Sequence, residues 1–355
     1  MRTTATVATA LPLVPLLLLG AGCSGARERP RDARPVAIAT TSTDRPLTPE
    51  SAARAFSAWA ANDDLARASG DERLALAWSA DSQRAVTASE YREAAFGSTP
   101  LPRHSYGRPK LWVPRMEGYP QWFVASVSRG GTAALMAFVK SSPEGRFRLS
   151  LVAVPARGLK PPKVKVDSDG YATALSTEDQ SVLIAPALVA PPQAAVAEEG
   201  PRSYSARALK EGPYTTGYYT ANEKAAKRAA KEGLEYTSTF TATSQPVFPL
   251  RTEDGGCLVL YSLTHDVGLA QKEEGPLEVP EDVAHLVAEP PVGRELHVFH
   301  SLRFAAVVPP KSDKPDKKRD SDGSDEPADS GGKGKDPEKV AVIAEDGAAT
   351  RIESS

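Results

Sequence analysis

The sequence predicts an α+β fold made of two tandem copies of one module, in which helices come first and an antiparallel sheet follows. Two observations predict it. Apolar residues recur at helical spacing early in each half and then switch to strand-like runs punctuated by glycine turns. The same signals also return in the same order in the second half, which is the signature of an internal duplication.

The first module is read over residues 47–175. Thr48-Pro49-Glu50 places a capping hydroxyl, a proline and an acid where a helix starts. Phe56 and Trp59 follow on one face with Ala52 and Ala53. After Gly70, Leu74 and Trp78 repeat the pattern four residues apart. A third helix is expected from the capping box Thr87-Ala88-Ser89-Glu90 to Gly97. The period then changes. Leu111–Val113, Trp122–Val127, Thr132–Val139 and Phe147–Val154 read as strands, with turns at Gly130-Gly131 and Pro143–Gly145. Lys163–Val166 and Tyr171–Leu175, about Asp169-Gly170, read as a last edge hairpin.

The second module, 176–355, repeats five of these signals. Pro191-Pro192 echoes the helix start at Pro49. Thr220–Glu223 echoes the box at Thr87, with Gly233 closing. Phe248 precedes Gly255-Gly256 as Phe123 precedes Gly130-Gly131. Leu302–Phe304 with Val307–Pro309 echoes Phe147–Leu149 with Val152–Pro155. Lys339–Val342 with Asp346-Gly347 echoes Lys163–Val166 with Asp169-Gly170. Between the last two strands lies an insertion, 311–338, with seven basic and nine acidic residues and almost nothing apolar. Such a composition cannot offset the entropy of ordering, so a disordered loop is expected.

Residues 1–22 read as a signal peptide. Arg2 is followed by an apolar run, Val7–Leu19, that is too short for a membrane span of about 20 residues and holds Pro12 and Pro15. The run ends Leu16-Leu17-Leu18-Leu19-Gly20-Ala21-Gly22-Cys23, which resembles the lipobox of bacterial secreted lipoproteins. That resemblance implies cleavage before Cys23 and a diacylglyceryl group on its thiol, anchoring the chain to the outer face of the cell membrane. Gly20 departs from the usual pattern, which has leucine there, and leaves plain secretion with cleavage near Ala21 as the alternative. Residues 23–46, polar and Pro-containing, then read as a flexible tether.

Charge and chemistry exclude more than they assign. The 355 residues carry 43 basic and 45 acidic side chains, and loss of residues 1–22 leaves a net charge of −3. This gives no electrostatic case for a nucleic-acid partner. Cys257 heads a strand-like run and reads as a small buried hydrophobe. His297 and His300, three apart in a strand, point to opposite faces, so a shared metal is not expected. His104, His265 and His285 have no ligand spacing. Asp320–Glu326 lacks the glycine and glutamate of a calcium loop. Lys224, Lys227, Arg228 and Lys231 form one basic helix face, read as solvated. Trp112, Tyr119, Trp122, Phe123, Tyr214, Tyr218, Tyr219 and Tyr236 either pack the core or line a pocket. No phosphate loop, serine elbow or zinc motif appears, so neither a cofactor nor a catalytic set is assigned.

The order of helices and strands resembles the cone-shaped fold of the nuclear-transport-factor-2-like superfamily. The leader ending LLLLGAGC and the Ala- and Arg-rich composition resemble uncharacterised lipoproteins of streptomycete-type actinobacteria. Together these readings favour a non-enzymatic, lipid-anchored binding or scaffold protein of the cell envelope, taking a protein, glycan or lipid. The alternative is a small-molecule enzyme using a pocket in one module.

Overall fold

The structure is a computed structural model that describes residues 46–272, 277–287, 293–311 and 338–354. These belong to one compact unit, Asp44–Ser355. The leader, Cys23, most of the tether and nearly all of the 311–338 insertion lie outside the described residues.

Helix α1 (Pro49–Ser69) starts where the sequence places it. Thr48 Oγ1 accepts from the Ser51 amide at 3.2 Å, and Ser51 Oγ accepts from the Thr48 amide at 2.9 Å. Ala52, Phe56 and Trp59 are buried, whereas Ala53 faces out. The short α2 (Glu72–Ala77) is capped by Asp71. Helix α3 (Asp81–Phe96) begins six residues before the expected box at Thr87. The reason is tertiary: the Ala80 amide donates to Leu149 O at 2.7 Å, and the Thr87 hydroxyl is engaged by Ser79 Oγ at 3.1 Å. Thr220 is misread in the same way. Helix α5 (Thr216–Lys231) starts earlier, and the Thr220 hydroxyl bonds back to Thr216 O at 3.1 Å. Helix α4 (Ala190–Glu199) carries its two prolines in the first turn.

The strands are β1 (Lys110–Trp112), β2 (Gln121–Arg129), β3 (Thr132–Lys140), β4 (Arg148–Pro155), β5 (Leu234–Ala242), β6 (Phe248–Arg251), β7 (Cys257–Gln271), β8 (Glu295–Val308) and β9 (Ala341–Ser354). All pair antiparallel in one sheet, ordered β1-β2-β3-β4-β9-β8-β7-β5, with β6 sharing the β7 edge beside β5. The first-half meander therefore joins the second through β4 and β9. Gly130 and Gly131, at φ 57° and 87°, make the two-residue turn between β2 and β3. The 163–175 hairpin forms, with Val166 bridging Ala172, but not at a sheet edge. Val164 and Ala174 bridge to Thr252 and Leu250, tying it to the second half.

Period-2 alternation sorts the strand side chains of the described residues into three large cores and a smaller one around Leu296 and Val298. Phe123, Met136 and Phe138 pack under α1. Val259, Tyr261, Phe304 and Val308 pack under α4, and Tyr261 donates to Gln193 Oε1 at 2.6 Å. Between them, Trp122, Leu135 and Leu151 from the first half meet Leu258, Leu260 and Ile343 from the second. The layers run helix, sheet, sheet, helix, and the two sheet halves turn their inner faces to each other. This is α+β, with one shared sheet. On β5 the Phe240 amide is taken by the Glu198 carboxylate, which blunts that edge.

Candidate functional site

Where the sheet passes from β4 to β9, helices α1, α2 and α3 enclose a cavity of about 190 Å³. Helix α1 supplies Trp59, Asp63 and Arg67, which share a face at four-residue spacing. Trp78 and Ser79 follow α2, and α3 supplies Gln83, Thr87 and Glu90. The floor is Leu149 of β4 with Asp346, Gly347 and Ala348 of β9, so both halves of the chain build it. Tyr106 and Arg129 complete the wall.

Arg67 is the centre of this wall. Its Nε lies 3.1 Å from Asp63 Oδ1, while Nη1 and Nη2 meet Glu90 Oε1 and Oε2 at 2.6 and 2.9 Å. Tyr106 OH donates to Asp63 Oδ2 at 2.8 Å. Burial would raise the Glu90 carboxyl, but hydrogen bonding and charge from Arg67 outweigh it and hold the group below its usual range. Burial and the Asp63 charge push the Tyr106 phenol up. His104, beside the network, is lowered by burial and by Arg67 and Arg129, which keeps it neutral. Behind the floor, Arg303 is fully buried, with Nη2 3.0 Å from Asp346 Oδ2, Nε 3.4 Å from Val152 O, and Nη1 without a partner among the described residues. That Nη2 contact is an ion pair without hydrogen-bond alignment.

Two buried polar atoms of residues around the cavity have no partner among the described residues: Trp78 Nε1 and Gln83 Oε1. Gln83 is 7% exposed. Such orphans are rare in folded proteins and each costs about 1–3 kcal/mol. Neither atom has appreciable accessible surface, so both are buried behind the wall rather than opening into the cavity.

A family model described as a domain of unknown function, DUF8094, matches residues 44–320. The chain belongs to this family. It is similar to an uncharacterised lipoprotein of Streptomyces coelicolor, 28% identical over 159 residues, or 44% of this chain and 46% of that one. A second uncharacterised lipoprotein of S. coelicolor is 29% identical over 273 residues, covering 70% and 74%. One from Streptomyces avermitilis is 23% identical over 188 residues, covering 52% and 55%. The chain thus spans about half the length of the first and third of these relatives. No solved structure matches it, so the cone-fold resemblance gains no support there.

In this DUF8094 chain the residues singled out from sequence lie elsewhere. His297 and His300 do face opposite ways. His297 Nδ1 is 2.9 Å from Asp266 and Nε2 is 3.0 Å from Glu295. Hydrogen bonding to Asp266, against a smaller effect of burial, raises its pKa. His300 sits directly across from His265, with rings 5.4 Å apart. His265 is therefore not isolated, as its spacing suggests, but buried beside the half-buried His300. Its Nε2 is 2.9 Å from Ser238 Oγ and its ring stacks on Phe240. Neither lines the cavity. His285 Nε2 is 3.1 Å from Ser89 Oγ. No group of three or more His, Cys, Asp or Glu among the described residues is placed to hold a metal.

Trp112 and Trp122 pack in the middle core and Phe123 under α1. Tyr214 and Tyr218 pack against the α4 core, Tyr219 donates to Glu223, and Tyr236 donates to Asn222. The Lys140 ammonium sits over the Tyr119 ring. These aromatics share no pocket. Cys257 is buried and burial pushes its thiol up to about 12, so it is inert. Lys224, Lys227, Arg228 and Lys231 are exposed on α5. Sequence reasoning missed Asp63, Arg67, Gln83 and Glu90. The one local signal was the four-residue Asp63–Arg67 spacing; nothing local points to Asp346.

Proposed function

We propose that this is a lipid-anchored protein of the cell envelope that binds a small ligand in the cavity beneath α1–α3. The anchor reading rests on the leader, with Cys23 receiving the diacylglyceryl group, and is supported by three relatives named as lipoproteins. Among the described residues no helix is long and apolar enough to cross a membrane. Two acyl chains on Cys23 are sufficient for stable attachment, and the tether would present the folded unit outside the cytoplasm.

The binding reading is carried by the cavity itself, about 190 Å³ in volume and lined from both halves of the chain by Trp59, Asp63, Arg67, Glu90, Tyr106 and Asp346. A non-enzymatic role fits the local acid–base chemistry. Glu90 is held ionised by Arg67, and Tyr106 is a weaker acid than usual, so neither is poised for proton transfer near neutral pH. A duplication of modules 47–175 and 176–355 rests on the sequence echoes alone, and one of them fails in the fold, because Asp346-Gly347 lies within the long strand β9 whereas Asp169-Gly170 turns a hairpin.

Two measurements test this. Changing Cys23 to Ala should move the protein from the membrane to the soluble fraction; retention at wild-type level refutes the anchor. In a thermal-shift screen of glycans, lipids and peptides, a ligand should stabilise the wild-type protein but not a cavity-filled Ala348→Trp variant. Equal shifts in both, or none from any class, refute the cavity as the binding site.

A further inference from the structure

Resting on the anchor reading, we infer that the exposed strap 157–166 is the face that meets the membrane, lying against anionic phospholipid headgroups. The strap follows β4 and leads into the 163–175 hairpin. From Arg157 to Lys165 it carries four cations, Arg157, Lys160, Lys163 and Lys165, and no acid. All four are exposed, and so are Leu159 and Val166, at 43% each. Val164 is buried and bridges Thr252, which by period-2 alternation turns Lys163 and Lys165 outward together. The acids nearby are engaged elsewhere or exposed to water. Asp167 and Asp169 are held by Arg115, and Asp179 faces Arg251. Asp254 accepts from Thr252 Oγ1 and the Gly256 amide. Glu253 lies 3.9 Å from Lys163, and both side chains are largely exposed. Arg157, Lys160 and Lys165 have no ion pair among the described residues.

Two observations select a lipid surface as the partner. The first is the mixture of side chains. Exposed Leu159 and Val166 gain burial in the headgroup layer while the lysines beside them reach phosphates. A soluble polyanion would use the charges and leave the apolar groups in water. The second is position. The chain from Cys23 enters the fold at Leu47, which is buried in the core that Tyr171 of the hairpin also packs against. At the hairpin tip, a Cβ on Gly170 would lie 4.0 Å from Pro49 Cγ, so the tip sits beside the start of α1. Only residues 24–45 separate this entry from Cys23, so acyl chains on that cysteine hold this end of the fold nearest the lipid. Each cation close to an anionic surface is worth about fivefold in partitioning. Such a contact is weak alone and becomes effective when a tether keeps it local.

The test uses the chain from residue 23 with Cys23→Ser, which carries no lipid and keeps every described residue, in co-sedimentation with vesicles. It should bind vesicles of phosphatidylcholine mixed with phosphatidylglycerol but not vesicles of phosphatidylcholine alone, and binding should fall as salt rises. Lys160→Gln, Lys163→Gln and Lys165→Gln together should weaken that binding by about a hundredfold. A charge-matched control on α5, Lys224→Gln with Lys227→Gln and Lys231→Gln, should leave it unchanged. Both triple variants alter exposed side chains and should melt with the wild type. On the mixed vesicles the fluorescence of Leu159→Trp should shift to the blue beyond any shift of the parent protein. Failure to bind the mixed vesicles, an equal loss in the α5 control, or no added shift in Leu159→Trp would each overturn the inference. The vesicle assay uses unlipidated protein, so it can fail while the Cys23→Ala fractionation still supports the anchor, and the anchor can fail while the strap still binds.

Discussion

The His265–His300 pair predicts a specific loss of stability in mild acid. His265 is 7% exposed, stacked on Phe240 and flanked by Tyr218, with Ser238 and His300 as polar neighbours. Burial, and then the neighbouring His300, lowers its pKa from 6.5 to about 3. The sign follows from linkage. The folded ring stays neutral while the unfolded ring takes a proton below pH 6.5, so stability is intact above that pH and declines as pH falls towards 3. Between pH 7.5 and 5.0 the unfolded state gains most of one proton, which is worth about 2 kcal/mol. Against a margin of about 5–15 kcal/mol this is large. His300, also lowered mainly by burial, acts in the same direction. Glu345, raised by burial and by Asp346, acts in the opposite one. The comparison that isolates His265 is therefore wild type against His265→Phe, whose ring can keep the stack on Phe240. Urea unfolding of both proteins across this pH range should show the wild type losing about 2 kcal/mol more. Parallel profiles would refute the assignment of His265 as a neutral, desolvated ring.

Other perturbations have equally definite outcomes. Arg67→Leu strands Asp63 and Glu90 without their shared cation and should cost about 3 kcal/mol in urea unfolding, since breaking a buried pair leaves an uncompensated charge. A cost under about 1 kcal/mol would mean solvent takes over the role of Arg67. Gly200→Ala should lower the melting temperature and cost about 1–3 kcal/mol. The residue sits at φ 80° with a Cβ position 2.8 Å from the Tyr219 ring, so an unchanged melt would show that Tyr219 moves freely.

How far the sequence reveals this fold depends on how local each signal is. The α1 start is written in three adjacent residues, Thr48-Pro49-Glu50, and is found where expected, as are β2, β3 and their Gly130-Gly131 turn. Thr87 and Thr220 look like caps by the same local rule but are helix-interior, because the chain ahead of them is fixed by bonds to distant groups such as Leu149 O. The single shared sheet is less legible still. The pairing of β4 with β9 joins positions nearly two hundred residues apart in sequence, and alternation reads the same whichever strand is the neighbour. The cavity was hidden for the same reason. Asp63 and Arg67 are visible as a helical pair, but only the fold brings Asp346, Gln83 and Trp78 to them.

That dependence makes β9 the decisive element, and it lies beyond the 44–320 stretch matched by the family. Ending the chain after Lys311 would remove the strand between β4 and β8, leaving both with unpaired inner edges. It would also remove Val340, Ile343 and Ala344 from the cores and strip the fully buried Arg303 of Asp346. An uncompensated buried charge of this kind costs about 3–5 kcal/mol by itself, before any loss of packing, and this approaches the whole margin of a domain. The truncated protein should therefore show no cooperative melt and rapid proteolysis. By contrast, replacing 314–335 with a short Gly-Ser linker, which keeps β9, should leave the melting temperature within a few degrees of wild type. A truncated chain that melts like the full one would mean that β9 is dispensable, and the floor contributed by Asp346, Gly347 and Ala348 would then not define the site.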